Sequence, residues 1–331
     1  MAMPANLTPQ YLEAERRFRA AATPQEKLEA LKEMLAEIPK HKGTEKLQAE
    51  IKRKIAKVKN EIQRAGKHGP KTHSYHVRKE GAGQIAVVGP PNVGKSSLVA
   101  KLTHARPDIA DYPFSTRTPC PGMMDFENIQ IQLLDLPPVS AEYMEYWVPN
   151  LIRNADACAV LVDLSAPDPA EQFKRTRDCL YEKKIRLVKE PPEEPEDIRY
   201  AYKRTVVFAN KADLDPTGEL LELVREMLEI PLELHPLSIF EDRLLEDFRR
   251  TAFRMLHIVR VYSKPPGKPV DYSRPFVLPE GSTLYDLAEE IHREFAENLR
   301  FARVWGEGKF DGQRVNRDYV LMDGDIVELH I

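Results

Sequence analysis

The amino-acid sequence predicts an α/β chain. A mostly parallel sheet carries a glycine-rich loop, an N-terminal helical hairpin precedes it, and a smaller α+β domain follows. Three observations predict this. Apolar residues recur at helical spacing through residues 24–62; short apolar runs alternate with helical segments from Gln84 onward; and residues 258–331 follow the order strand, strand, helix, strand, strand. A length of 331 residues fits two or three compact units, and the patterns divide it at 1–80, 81–257 and 258–331.

The first unit reads as helical. Thr23, Pro24 and Glu26 form a capping box with proline at the first helical position. Leu28, Leu31, Leu35 and Ile38 then share one face, and 39–43 break the pattern. A second stripe follows at Leu47, Ile51, Ile55, Val58 and Ile62, ending at Gly66. Between Lys40 and Glu80 stand thirteen Lys or Arg and four Asp or Glu, whereas the whole chain has a net charge of −3. That density suits either a solvated helix face with a basic linker or a contact to RNA phosphate. The overall charge excludes a uniformly basic nucleic-acid binder.

In the second unit, Ile85–Val88, Ile129–Leu134, Ala157–Val162 and Thr205–Ala209 read as buried strands, with Leu234–Leu237 a weaker one. Residues 187–204 interrupt this unit, and the proline-rich, acidic segment 188–197 within them reads as a surface excursion. In the third unit, Ile258–Tyr262 and Phe276–Leu278 pair across a Lys-Pro-Pro-Gly-Lys turn. Ser282 or Thr283 caps a helix to about Phe295, and strands follow at Phe301–Trp305 and Asp325–Leu329.

Three cysteines, at 120, 158 and 179, have neither metal spacing nor a disulfide pattern, which fits a reducing, cytoplasmic setting and packing roles. No apolar run approaches the roughly 20 residues of a membrane helix, and Ala2–Asn6 has no signal-peptide character, so no membrane association is expected. His68, His73 and His76 lack cysteine or carboxylate partners for a metal, and Asp163 is expected in a loop hydrogen bond.

The strongest chemical signal is Gly89-Pro90-Pro91-Asn92-Val93-Gly94-Lys95-Ser96, followed by Ser97. It matches G-x-x-x-x-G-K-[ST] directly after a strand and before a helix. Its amides are expected to surround the α- and β-phosphates of a nucleotide. Lys95 is expected to reach the β- and γ-phosphates, and the Ser96 hydroxyl to ligate Mg²⁺. Asp135, at a strand's C-terminal end, is placed to hold Mg²⁺ through a water. Asn210-Lys211-Ala212-Asp213 follows another strand. A carboxylate at Asp213 accepts from guanine N1–H and the 2-amino group, a donor pair adenine lacks, which argues against an ATPase. The Lys211 stem packs over the purine, Asn210 ties loops together, and Ser238-Ile239 brings backbone amides near the base oxygen.

With these motifs the chain resembles an Obg-related GTPase, closest to the developmentally regulated GTP-binding branch. The resemblance extends to Tyr112-Pro-Phe-Ser-Thr116-Arg-Thr118-Pro, the family's switch I. It implies that Thr116 closes on Mg²⁺ when GTP is bound, with Ser115 and Thr118 as the other hydroxyls available. Arg260–Lys268, Phe276–Pro279, Gly281–Ala288, Phe310–Val315 and Leu321–Leu329 resemble a TGS domain, which implies a ubiquitin-like β-grasp fold and association with ribosomes or structured RNA. The space between Pro138 and Thr205 is too short for the extra domain that larger family members insert.

Two departures bear on mechanism. The family's switch II pattern Asp-x-Pro-Gly is here Asp135-Leu136-Pro137-Pro138, so the glycine amide for the γ-phosphate is missing. Val139 follows where Ras-type enzymes place a water-orienting glutamine, an absence the Obg class shares. Lys95, Thr116 and Asn92 are the expected catalytic residues. Asn92 is either a structural loop residue or, as in related GTPases, a holder of K⁺ beside the phosphates. The expected function is a GTP-hydrolysing switch, with an activating protein partner left open. The alternative is a scaffold that binds GTP or GDP with little hydrolysis.

Overall fold

A computed structural model describes residues 11, 24–38, 48, 51–55, 77–103, 119–141, 144–228 and 231–331. The chain divides into two compact units, Met1–Ser74 and Tyr75–Ile331.

In the first unit, helix α1 spans Pro24–Glu37, and residues 51–55 are helical. Leu31 and Ile38 of the expected stripe are buried with Met34, Tyr11 and Ile51, and Leu35 and Ile55 pack at the margin. Apolar stripes at helical spacing thus meet in one core. Thr23, most of the basic segment and His68, His73 and His76 lie outside the described residues.

The second unit opens with a seven-stranded sheet. Its strands are β1 (Gln84–Val88), β2 (Cys120–Phe126), β3 (Ile129–Asp135), β4 (Ala157–Asp163), β5 (Ile185–Val188), β6 (Ala201–Asn210) and β7 (Glu233–Leu237). The order is β2-β3-β1-β4-β6-β5, with β7 also on β6; β2 alone is antiparallel to its neighbour. β1 and β4 are buried along their whole length, which accounts for their unbroken apolar sequences. Helices α3 (Val148–Asn154), α4 (Pro169–Glu182) and α5 (Glu219–Met227) cover one face through Leu151, Phe173 and Val224. Helices α2 (Lys95–Leu102) and α6 (Asp242–Met255) cover the other through Leu98, Phe248 and Ala252. Because β1, β3, β4, β6 and β7 run parallel, their C-terminal ends share one edge, the edge where open α/β sheets place ligands.

Several elements depart from the sequence expectation, including an extra short strand at Gln313–Val315 in the third unit. β2 was not expected; Pro121 and Gly122 interrupt its apolar pattern. The end of β5 and the first four residues of β6 fall inside the 187–204 interruption yet are strands, pairing from Ile185↔Ala201 to Val188↔Arg204. Only the acidic turn between them is irregular. The helix expected to run to Phe295 is interrupted at His292, giving α7 (Leu284–Ile291) and α8 (Arg293–Asn298).

The C-terminal sheet has the order β11-β10-β12-β8-β9, formed by β8 (Ile258–Ser263), β9 (Phe276–Pro279), β10 (Phe301–Trp305), β11 (Gln313–Val315) and β12 (Asp325–His330). The central pair β8–β12 is parallel. Thr283 is the helix cap, in a reciprocal box with Asp286. The two sheets are joined at Arg260. Its guanidinium donates two bonds to Asp323, of 2.7 and 3.0 Å, and pairs with Glu127 at the tip of the β2–β3 hairpin. Tyr262 and the Tyr272 carbonyl meet Asn128 of the same tip, at 2.5 and 3.1 Å.

Candidate functional site

The loop after β1 turns tightly enough that Gly94 adopts φ 94° and Asn92 φ 60°. A side chain at Gly94 would bring a Cβ within 2.4 Å of Asn210 Nδ2, so only glycine fits. Asn210 Nδ2 in turn donates to the Val93 carbonyl at 2.8 Å. One buried amide therefore straps the phosphate loop to the end of β6. Asn92 is exposed at the loop's tip.

Lys95 starts α2 and is buried. Its Nζ donates to the Gly89 and Pro90 carbonyls at 3.0 and 2.8 Å. Burial lowers its pKa to about 8, against the opposing pull of the nearby Asp135 charge. An ammonium held by neutral carbonyls of its own loop is a ready donor to polyphosphate oxygens. Asp135 ends β3 and is fully buried. Burial also raises its pKa, while a hydrogen bond from Ser96 and the charge of Lys95 act in the other direction. Ser96 Oγ donates to Asp135 Oδ2 at 2.6 Å, and Asp135 Oδ1 is buried with no hydrogen-bond partner among the described residues. A hydroxyl and an orphaned carboxylate oxygen side by side are hard oxygen donors, and they fit Mg²⁺.

After Asp135 the chain stays tucked beneath the loop. Leu136, Pro137, Pro138 and Val139 are all buried, and Val139 N–H donates to the Gly89 carbonyl at 3.1 Å. That carbonyl also receives Lys95. This latch is not visible in the sequence, because it joins residues 50 positions apart through the backbone.

The expected base-reading residues gather after β6 and β7. Lys211 takes φ 64°, and its Nζ meets Asp163 Oδ2 at 2.6 Å and Ser165 Oγ at 3.2 Å. Asp163 also accepts from Ser165 N–H and Oγ, at 2.9 and 2.6 Å. It makes the expected loop hydrogen bond and additionally anchors Lys211, a role sequence reasoning missed. Its one signal is an acidic residue ending an apolar strand. Ser238 is buried, and its hydroxyl donates to Asp213 Oδ1 at 2.5 Å while accepting from Phe240 N–H at 3.2 Å. Ser238 thus orients the Asp213 carboxylate, and the half-buried Ile239 packs against the core. Thr116, Ser115 and Thr118 lie outside the described residues.

Comparisons with known proteins show what the chain is similar to as a whole. Residues 84–192 match the family described as 50S ribosome-binding GTPase, and residues 259–331 match the TGS domain. An uncharacterized GTP-binding protein of Methanocaldococcus jannaschii is 29% identical, over 93% of this chain and 93% of its own. The developmentally-regulated GTP-binding protein 1 homolog of Dictyostelium discoideum is 26% identical over 92% and 98%. The first alignment runs over 366 positions although this chain has 331 residues, so the archaeal relative carries insertions without counterpart here. Among solved structures, the YchF GTPase of Schizosaccharomyces pombe is similar in fold, with a TM-score of 0.53 at 14% identity, covering 76% of this chain and 99% of that one.

Proposed function

We propose, for a chain that belongs to the TGS-bearing, developmentally regulated type of GTP-binding GTPase, a GTP-hydrolysing switch acting on ribosomes or structured RNA. The observation that carries the nucleotide half is the Asn210–Val93 strap, which places the phosphate loop and the Asn-Lys-x-Asp turn at one sheet edge. Gly89–Ser97 wraps the phosphates with backbone N–H groups, Lys95 reaches the β- and γ-oxygens, and Asp213 reads guanine. Ser96, Asp135 and Thr116 hold Mg²⁺, which neutralises phosphate charge when bound. Val139 is apolar and cannot polarise water, so charge neutralisation falls to other groups. Asn92, exposed in the loop, is the candidate holder of K⁺, by the resemblance noted above. Hydrolysis faster in K⁺ than in Na⁺ is expected, and equal rates sink that role.

The ribosome or RNA half rests on the basic Lys40–Glu80 segment and the TGS domain, in a cytoplasmic setting. Among the described residues no helix is long and apolar enough to cross a membrane. A second reading, a GTP- or GDP-binding scaffold with little hydrolysis, is favoured by Pro138. The deciding experiment is a panel of GTP, GDP and ATP binding, followed by phosphate release with and without ribosomes. Guanine-selective binding with ribosome-stimulated release supports the switch; binding without release supports the scaffold; equal affinity for ATP overturns both.

A further inference from the structure

In the C-terminal domain the helices carry an excess of exposed acidic side chains, whereas the open sheet face carries Arg303, Arg314 and Lys264, with Glu307 and Asp311 on the loop beside it. Its helices expose Asp286, Glu289, Glu290, Glu294 and Glu297, with Arg293 paired to Glu297. The opposite face of the sheet is different. Along β10, Ala302 and Val304 point into the core, so Phe301, Arg303 and Trp305 project outward. Their cross-strand neighbours Arg314 on β11 and His330 on β12 share that face.

These side chains form two stacks of ring and cation. Phe301 lies parallel to His330, with centroids 4.5 Å apart and planes 11° from parallel, and the Arg314 guanidinium lies 4.0 Å from the Phe301 centroid. Lys264 Nζ sits 4.2 Å over Trp305. Buried Glu328 organises both stacks, accepting from Lys264 and pairing with His330, each at 2.9 Å. The loop between β10 and β11 folds over the same face. A Cβ at Gly312 would be 3.5 Å from the Trp305 ring, and Phe310, two residues earlier, is 83% exposed.

We propose that this open sheet face is a stacking platform for unpaired RNA nucleotides. The Arg314 guanidinium and the exposed Phe310 ring offer planes that stack bases of any identity, on a floor held by Phe301, His330 and Trp305, and Arg303 and Lys264 meet the phosphates between them. A duplex keeps its bases internal and cannot use the rings. The acidic helices repel a polyanion from the other side, so the sheet is the face that RNA approaches. This rests on the RNA half of the function proposed above and names the form of RNA and the surface.

The test uses the full chain and fluorescein-labelled oligo(A) and oligo(U), a hairpin duplex of equal length, and poly-glutamate as an acidic-protein mimic. Unpaired oligonucleotides are expected to bind at least about tenfold more tightly than the duplex and to quench Trp305 fluorescence. Arg314→Ala and Phe310→Ala, both at exposed positions, are each expected to weaken binding about fivefold or more with GTP affinity unchanged. Arg314→Lys, which keeps charge but loses the plane, is expected to recover only part of the loss. Equal binding of duplex, or of poly-glutamate, overturns the platform. So do variants that bind like the parent. If no oligonucleotide binds but the protein still pellets with ribosomes, the platform fails and the ribosome reading stands; if neither binds, both fail.

Discussion

At residue 138 the chain has a proline where the family it resembles has glycine. The ring removes an amide and fixes φ, and the next available amide, Val139 N–H, is already given to the Gly89 carbonyl. The first amide after the two prolines is therefore engaged and reaches a γ-phosphate only by breaking that bond. Pro138→Gly is expected to raise single-turnover GTP hydrolysis by about tenfold or more with GTP affinity little changed. An unchanged rate counts against this account. Lys95 sets a pH dependence. Its pKa lies near 8 in the free protein because burial disfavours the charge, whereas nucleotide phosphates favour it. Above that pH, binding must therefore take up a proton, and GTP affinity must fall as pH rises through 8. For folding the sign is the usual one for a depressed pKa. Relative to an unfolded lysine near 10.5, stability of the free protein is lost as pH falls through about 8. Titration calorimetry at about pH 9 in two buffers of different ionisation heat measures the uptake. Heats that do not depend on the buffer refute it.

At the scale of elements, the strap from β6 to the phosphate loop makes its own prediction. Asn210→Ala leaves the buried Val93 carbonyl unpaired and is expected to cost about 1–3 kcal/mol of nucleotide affinity. The loss is expected to be equal for GTP and GDP, because the strap does not touch the third phosphate position. Titration with fluorescent analogues of both checks this, and a loss confined to GTP contradicts it. Elements and site residues were legible where their signal is local. β1 and β4 are continuous apolar runs because they are buried on both faces, and the phosphate loop and Asn210–Asp213 are short motifs at strand ends. β2 escaped because it is an edge strand, where Pro121 and Gly122 are tolerated. The start of β6 escaped because Lys203 and Arg204 mask its alternation. Asp163 as an anchor for Lys211, Ser238 as an orienter of Asp213, and the Val139 latch all depend on contacts distant in sequence, which no local pattern encodes.

At the scale of the whole molecule, the β2–β3 hairpin connects two places that matter. One end carries Asp135, paired in register with Cys120, immediately after the segment holding Thr116. The other end is the Glu127–Asn128 tip, gripped by Arg260 and Tyr262 of the C-terminal domain. The strands between are seven residues each, roughly 20 Å of paired backbone. Arg260→Ala is expected to leave GTP binding intact while abolishing any difference between the GTP- and GDP-bound states in hydrogen exchange over residues 258–331. A difference that survives the substitution shows that the hairpin does not couple the two ends.

A paired ribbon of that length bends little, so a displacement at its root reaches its tip nearly undiminished. Arg260 therefore works as a rivet at the far end of a lever. The loss of one phosphate would be felt as a push on the whole C-terminal domain, without any linker having to fold or melt.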